Sequence, residues 1–348
     1  MRFQYEIVND PVIAFSERGR SLQIITNSEP GFDSIFSGNT TDICPVGALT
    51  TADFRFGARP WEMKPAASIC SQCAVGCNIT YNVRREARSD GGWAIKRVMP
   101  RQNEMVNEIW MCDKGRMAYQ HLESSQRLTH PLIRKNGKLE QADWQEALYL
   151  VADKMCQMGS SLAKLASGRL SNEDLFNLKE LIYSRGGDAI LYGSMAGGDL
   201  VSRIGPGVET DFSKLGPGTV VLVIACDLHQ EAPIWWLRLK KAAQNGTTII
   251  AANPRPTRLD DFARHTVRYQ YGQEAAVLSA FVPGGRGFLA EINAEAAAEF
   301  NAAEKAIILF GSEGTGLANS EALVNAAADL LVKTGHEGKP GSGLMGVW

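Results

Sequence analysis

Seven cysteines lie in the 348-residue chain, and five of them fall between Cys44 and Cys112. Three are packed into Cys70-Ser-Gln-Cys73-Ala-Val-Gly-Cys77, and a fourth, Cys112, opens Cys112-Asp-Lys-Gly-Arg116 far downstream. Thiolates at this spacing suit a cubane [4Fe–4S] cluster, because one short loop wraps three corners and a distant residue closes the fourth. Gly76 supplies the positive φ that a tight loop requires just before a ligand. Backbone N–H groups of such a loop point at the sulfurs and tune the potential. Structural zinc usually pairs two two-Cys knuckles rather than a tight triple with one remote Cys. Iron–sulfur is therefore the favoured reading, with zinc and plain buried thiols as the open alternatives.

Cys44 stands alone in Asp42-Ile-Cys44-Pro45-Val-Gly-Ala-Leu49. Cys followed by Pro is the pattern of the last ligand in bacterial ferredoxin motifs, which often serves a cluster whose other ligands lie elsewhere in the chain. No Cys precedes it, so a lone buried thiol is the alternative. Cys156 falls on an amphipathic helix and reads as core, and Cys226, at the end of a buried strand, reads as a packed thiol. The five His show no paired ligand spacing and read as structural or surface residues. No side chain is nominated as a general acid or base.

The elements that must hold these thiols change in texture along the chain. Residues 1–60 read as short strands and turns, with turn signals at Ser28–Gly31 and Ser37–Thr40. Residues 61–127 carry the Cys set. From 128 onward helix and strand signals alternate. Asp143 caps a helix through Trp144, Leu148, Val151 and Met155, and Ser171 caps a second one. Strands are expected at Leu162–Ala166, Ala189–Tyr192, Val220–Ala225, Thr247–Ala251 and Ala306–Phe310. Helices are expected at Pro233–Gln244, around Phe288–Ala303 and at Ala318–Thr334. Strands alternating with helices imply an open, mostly parallel sheet. The net charge of −2, with 45% hydrophobic and 21% charged residues, excludes a disordered chain and a strongly basic nucleic-acid binder. No apolar run reaches the ~18 residues of a membrane span. Met1–Arg20 lacks the apolar run of a signal peptide, so a reducing compartment is expected.

Four stretches together resemble the G subunit of bacterial NADH-quinone oxidoreductase, which is the large iron–sulfur subunit of respiratory complex I, within the molybdopterin oxidoreductase superfamily. They are Ser37–Thr50 with Phe56–Glu62; the Cys set with Cys112–Arg116; Arg127–Leu148; and the βαβ run containing SGRLSNEDLF, VVLVIACDLHQEAP and IIAANPRPTRLD. The resemblance implies an α/β fold. A small Cys-rich, mostly β cluster-binding subdomain would precede a partial doubly wound molybdopterin-oxidoreductase-like domain. Residues 1–60 would be the remnant of a ferredoxin-like module, 61–127 the [4Fe–4S] domain, and 128–348 the start of the pterin-type domain. It implies that Cys70, Cys73, Cys77 and Cys112 ligate a [4Fe–4S] cluster. Lys114 would lie near that cluster, on its possible pterin side. Cys44 would be the orphan fourth ligand of a second [4Fe–4S] cluster, whose other ligands precede Met1 and which only a full-length chain assembles. The chain then reads as a fragment cut at both ends.

The implied activity is electron transfer from NADH toward quinone in a translocase-class oxidoreductase. The chain would bind no substrate itself and would sit with the other peripheral-arm subunits on the cytoplasmic face of the membrane. It would contact no nucleic acid and span no membrane. A catalytic molybdopterin chain, such as an NAD-linked formate dehydrogenase, is the alternative, and a zinc-stabilised interaction domain is a third. Molybdopterin stays an open question. Asp188–Ile204, where catalytic relatives supply a metal ligand, contains no Cys and offers only Ser194 and Ser202. Asn253-Pro-Arg255, at a strand end, is either a dinucleotide contact or a strand-terminating turn.

Overall fold

The computed structural model describes every residue except 30, 87–91, 169, 193–194, 206, 208–210 and 348. The chain forms two compact units, Met1–Tyr119 with Met195–Trp348, and Gln120–Ser194.

The first unit begins with a π-helical segment, Phe3–Val8, where short strands were expected. Its helical turn buries Phe3 and Val8 together, and Phe3 packs on Trp110 with ring centroids 4.8 Å apart. An antiparallel hairpin follows, β1 (Ile13–Ser16) and β2 (Gln23–Thr26). The expected turn at Ser37–Thr40 is instead the start of α1 (Ser37–Asp42), a helix whose N-terminus is satisfied by a carboxylate remote in sequence. Three antiparallel strands then form one sheet: β3 (Lys64–Ile69), β4 (Asn78–Arg85) and β5 (Trp93–Pro100). The short helix α2 (Asp113–Met117) closes this module.

The second unit opens with the hairpin β6 (Leu132–Lys135) and β7 (Lys138–Gln141). Asn136 and Gly137 turn it at positive φ, the pairing such tight hairpins prefer. Next come α3 (Trp144–Met158), β8 (Ala163–Ser167), α4 (Asn172–Tyr183) and β9 (Asp188–Tyr192), with β8 and β9 parallel. The Asp143 carboxylate accepts from the Glu146 N–H, and the Ser171 hydroxyl accepts from the Asp174 N–H, so both expected caps form. Cys156 is exposed, not core as expected. The helical period is right, but α3 buries none of its residues, since this unit offers only a two-stranded parallel sheet to pack against.

The first unit resumes with α5 (Gly198–Ile204), β10 (Thr219–Ile224), α6 (Leu228–Glu231), α7 (Pro233–Gln244), β11 (Thr248–Ala252), β12 (His265–Val267), α8 (Glu274–Phe281), α9 (Phe288–Ile292), α10 (Ala294–Ala302), β13 (Lys305–Phe310), α11 (Gly316–Lys333) and β14 (Gly343–Gly346). Five strands form one all-parallel sheet in the order β12-β11-β10-β13-β14. The order reverses beside β10, and the ends of β10 and β13 make the crevice where doubly wound sheets bind ligands. All six residues of β10 are buried. Alternate residues serve two cores: Val220, Leu222 and Ile224 face α8, α10 and α11, while Val221 and Val223 face α7. The α7 core is continuous with the cysteine module, joining Trp236 and Leu239 to Phe36, Ile79 and Met111. The helix expected around Phe288–Ala303 is broken at Asn293, whose side-chain amide donates to the Leu289 carbonyl at 2.8 Å and competes with the helical ladder.

Candidate metal centre

Cys70, Cys73 and Cys77 line the loop between β3 and β4. The Cys70 N–H donates to the Cys77 carbonyl at 2.8 Å and ties the loop ends together. Gly76 has φ +62°, as its place before Cys77 requires. Cys112 is the residue from which α2 starts. The turn before it is held by Asn107, which is fully buried: it accepts from the Asn78 N–H at 2.9 Å and donates to the Trp110 carbonyl at 3.1 Å. Sequence on both sides of the site is thus locked by ordinary backbone and amide hydrogen bonds.

Cys70, Cys77 and Cys112 each feel the charge of other cysteines of the set, Cys73 among them, so the fold brings the four into one neighbourhood. Cys70, Cys77 and Cys112 are buried, and Cys73 is half-buried against the same core. Burial pushes the Cys77 thiol far up, with Cys112, Cys73 and Cys70 adding to the effect. Burial, outweighing the Gly115 N–H, pushes Cys112 up to about 11. Cys70 is raised by burial too, against the pull of the Gln72 N–H and of the Lys114 charge. Thiols in this state ionise only when a cation takes the place of the lost water. Gly115 completes the fit. A Cβ there would stand 3.0 Å from the Cys70 Sγ, so the sulfur occupies the space a side chain would fill. Four cysteines on one core and within electrostatic reach of one another, N–H donors aimed at two of the sulfurs and a glycine packed against one suit a thiolate-held cluster, whose bulk holds the sulfurs farther apart than a single ion would.

Cys44 is not among the groups that perturb these thiols. Its own surroundings are different. The backbone N–H groups of Leu49, Ala48, Val46 and Gly47 converge on its sulfur and hold its pKa below the ordinary thiol value, the Leu49 N–H contributing most. Gly47, at φ +65°, lets the chain curl around the sulfur. The N–H groups around it favour the charged form of the sulfur.

At the crevice beside β10, Arg255 bonds Glu313 at 2.5 Å and Asp227 at 3.0 Å, and Asn253 donates to Glu313 at 3.1 Å. Glu231 accepts from the Asp227 N–H at 2.7 Å; burial raises its pKa, and the Lys114 charge pulls the other way. Lys114 therefore acts electrostatically on both Cys70 and this crevice. Three carboxylates face two cations, an ill fit for the pyrophosphate of a pterin dinucleotide, and Arg255 is already committed to the acids. Ser202 donates to the Asp199 carbonyl on the surface of α5 at 2.7 Å, and Ser194 lies outside the described residues. Cys226 is buried, as expected.

Two groupings escaped the sequence reading. His265, Glu295 and Glu299 bring potential ligand atoms within 4.8 Å of one another, with Arg264 already paired to Glu299 at 2.8 Å. Ser37, Asn39 and Asp42 are bonded to Met111, Asp113 and Arg116. The only signal for the latter was that both stretches belong to recognisable motifs.

Residues 127–347 match the sequence model of the family described as molybdopterin oxidoreductase. Residues 1–50 match the ferredoxin-like domain of NADH-quinone oxidoreductase subunit 3, and residues 63–120 match the 4Fe-4S domain described as NADH-ubiquinone oxidoreductase NDSU1/NuoG-like. The chain belongs to the molybdopterin oxidoreductase family. Within it, the chain is similar to proteins named as the G subunit of NADH-quinone oxidoreductase. That of Streptomyces coelicolor is 32% identical over 280 residues, 74% of this chain and 32% of the relative. That of Rickettsia felis is 35% identical over 253 residues, 72% and 36%. That of Mycobacterium tuberculosis is 31% identical over 346 residues, 96% and 40%. The chain thus spans between 32 and 40% of the length of these relatives. Among solved structures, acetylene hydratase from Pelobacter acetylenicus shares the fold at TM-score 0.59 and 18% identity, over 78% of this chain and 43% of that one. Among the described residues, no helix is long and apolar enough to cross a membrane.

Proposed function

We propose that this chain is an electron-transferring part of the large iron–sulfur subunit of an NADH-quinone oxidoreductase, carrying one [4Fe–4S] cluster on Cys70, Cys73, Cys77 and Cys112. The observation that carries the reading is the gathering of these four thiols, three of them buried, in one core. The cluster supplies a one-electron carrier. The protein's part is to hold and tune it. The thiolates bind iron, and the Gln72 and Gly115 N–H groups donate to the Cys70 and Cys112 sulfurs. Lys114 adds positive charge beside Cys70, which favours the reduced, more negative state. Cys44 is the fourth ligand of a second [4Fe–4S] cluster whose other thiolates come from sequence outside this chain, a role supported by the N–H ring around its sulfur. Segments 1–60, 61–127 and 128–348 are the corresponding modules, supported by family matches over 1–50, 63–120 and 127–347. The acid-lined crevice supports a pterin-type domain that serves as scaffold, with no molybdopterin bound. The partners are the other peripheral-arm subunits, on the cytoplasmic face, in a translocase-class complex.

Metal analysis of anaerobically purified chain tests this. Iron and acid-labile sulfide at about four each, without molybdenum, is the expected result. Molybdenum with extractable pterin would instead make the chain part of a catalytic molybdopterin enzyme. Zinc without sulfide would make the centre structural.

A further inference from the structure

The stretch Ser37–Asp42 and the stretch Met111–Arg116 are bonded to each other although the paired residues stand 72 to 76 positions apart. A six-residue helix has no stability of its own, and α1 has no cap from its own side chains. Asp113 supplies one from outside. Its carboxylate accepts from the Ser37 N–H at 3.0 Å, the Ser37 hydroxyl at 2.5 Å and the Gly38 N–H at 2.9 Å. The negative charge also sits at the positive end of the helix. Asn39, 1% exposed, donates to the Met111 carbonyl at 2.8 Å and accepts from the Met111 N–H at 3.3 Å. At the far end Arg116, 4% exposed, grips the two Asp42 carboxylate oxygens at 2.5 and 3.2 Å and donates to the Val98 carbonyl at 3.2 Å. A bidentate pair fixes direction as well as distance. Gly38 is obligatory in this arrangement, because a Cβ there would overlap the Arg116 guanidinium. Ile43 ends α1, and Cys44 follows, its N–H donating to the Thr41 carbonyl at 3.3 Å.

We propose that Asp113 and Arg116 are positioning residues for Cys44. They clamp α1 at both ends and so hold the Cys44 sulfur and its N–H loop at a fixed place relative to the four-thiol centre, ready to close a cluster brought by other sequence. The inference rests on the reading of Cys44 as an outlying ligand. The clamp explains why a charged pair is kept at this depth, and why two motifs far apart in sequence occur in one protein.

The test uses the whole chain with the four-thiol centre loaded, in a Cys156→Ser background, with a nitroxide on Cys44. Dipolar EPR between the nitroxide and the reduced cluster reads their separation. The parent protein gives one narrow distance distribution. Asp113→Ala, which removes the cap, and Gly38→Ala, which displaces Arg116, each broaden it while iron content and the cluster spectrum stay unchanged. Amide exchange over residues 38–49 rises at least about fivefold in both variants. Distributions as narrow as the parent's, with unaltered exchange, would overturn the proposal. A chain that takes up no iron defeats the proposed function instead, and the exchange measurement, which needs no cluster, still decides whether the clamp holds the Cys44 loop.

Discussion

The four-thiol centre and the Cys44 loop hold cysteine sulfur in two different electrostatic settings. In the first the sulfurs are taken out of water, and burial pushes Cys70, Cys77 and Cys112 toward the neutral thiol. In the second the sulfur is less enclosed, and the N–H groups of Val46 to Leu49 hold it toward the thiolate before any metal arrives. A buried set is a closed site: it withholds its charge until cations compensate it, and it then binds tightly. A thiol cradled by backbone dipoles is, under the proposed function, one ligand of a site that other thiolates complete. The difference follows from the two kinds of loop. Cys70–Cys77 is tied at its ends inside a core shared with α7, whereas Cys44 leaves the end of a short helix that is itself held from a distance.

The sharpest break of this contrast is Cys77→Ala. The chain is expected to lose the low-temperature EPR signal of the reduced cluster altogether, with iron falling well below about four per chain; an unchanged spectrum would remove Cys77 from the ligand set. Next in size is thiol reactivity in metal-free protein. Only the thiolate alkylates, so at about pH 7.5 Cys44 is expected to react roughly a hundredfold faster than Cys112, read peptide by peptide by mass spectrometry. Equal rates would erase the distinction between the two loops. Gly115→Ala puts a methyl 3.0 Å from the Cys70 sulfur. Overpacking of this kind costs about 1–3 kcal/mol, so iron is expected to leave about tenfold faster under a chelator.

The fourth test is pH. Folding raises Cys112 from 9.0 to about 11, so the unfolded chain releases this proton first as pH rises. The stability tied to the neutral thiol is whole below pH 9 and is lost as pH climbs through about 11. In metal-free protein this lowers Tm by roughly 5 °C over that window. The iron-loaded protein, whose Cys112 carries no proton, is expected to show no such loss. The smallest effect belongs to Gly47→Ala. Nothing lies within 4 Å of a Cβ at Gly47, so only its positive φ is strained. That costs about 1 kcal/mol and is expected to slow Cys44 alkylation by about two- to threefold.

Much of the molecule was legible in the chain itself. That Cys70, Cys73, Cys77 and Cys112 share one core was foreshadowed by their spacing, because iron–sulfur ligation, the proposed role, couples residue type to spacing. The continuous apolar run at β10, Pro233 at the start of α7 and the caps Asp143 and Ser171 are local signals, and each sits where local energetics place it. Cys156 was misjudged because helical periodicity reports which residues share a face, not whether a neighbour covers that face. Phe3–Val8 and α1 were misread because each depends on a partner elsewhere, Trp110 for one and Asp113 for the other.

The sequence by itself determined the cluster chemistry, the alternation that builds a parallel sheet, and the resemblance that points to the large iron–sulfur subunit of NADH-quinone oxidoreductase, because each is written in residue types at short range. The tertiary structure decided the rest. It set the burial that keeps three of the four thiols protonated without metal, the close approach that demands Gly115, the acid-lined crevice around Arg255, and the clamp from Asp113 and Arg116 onto α1. These are interactions between groups far apart in sequence, and their energies exist only once the chain has brought them together.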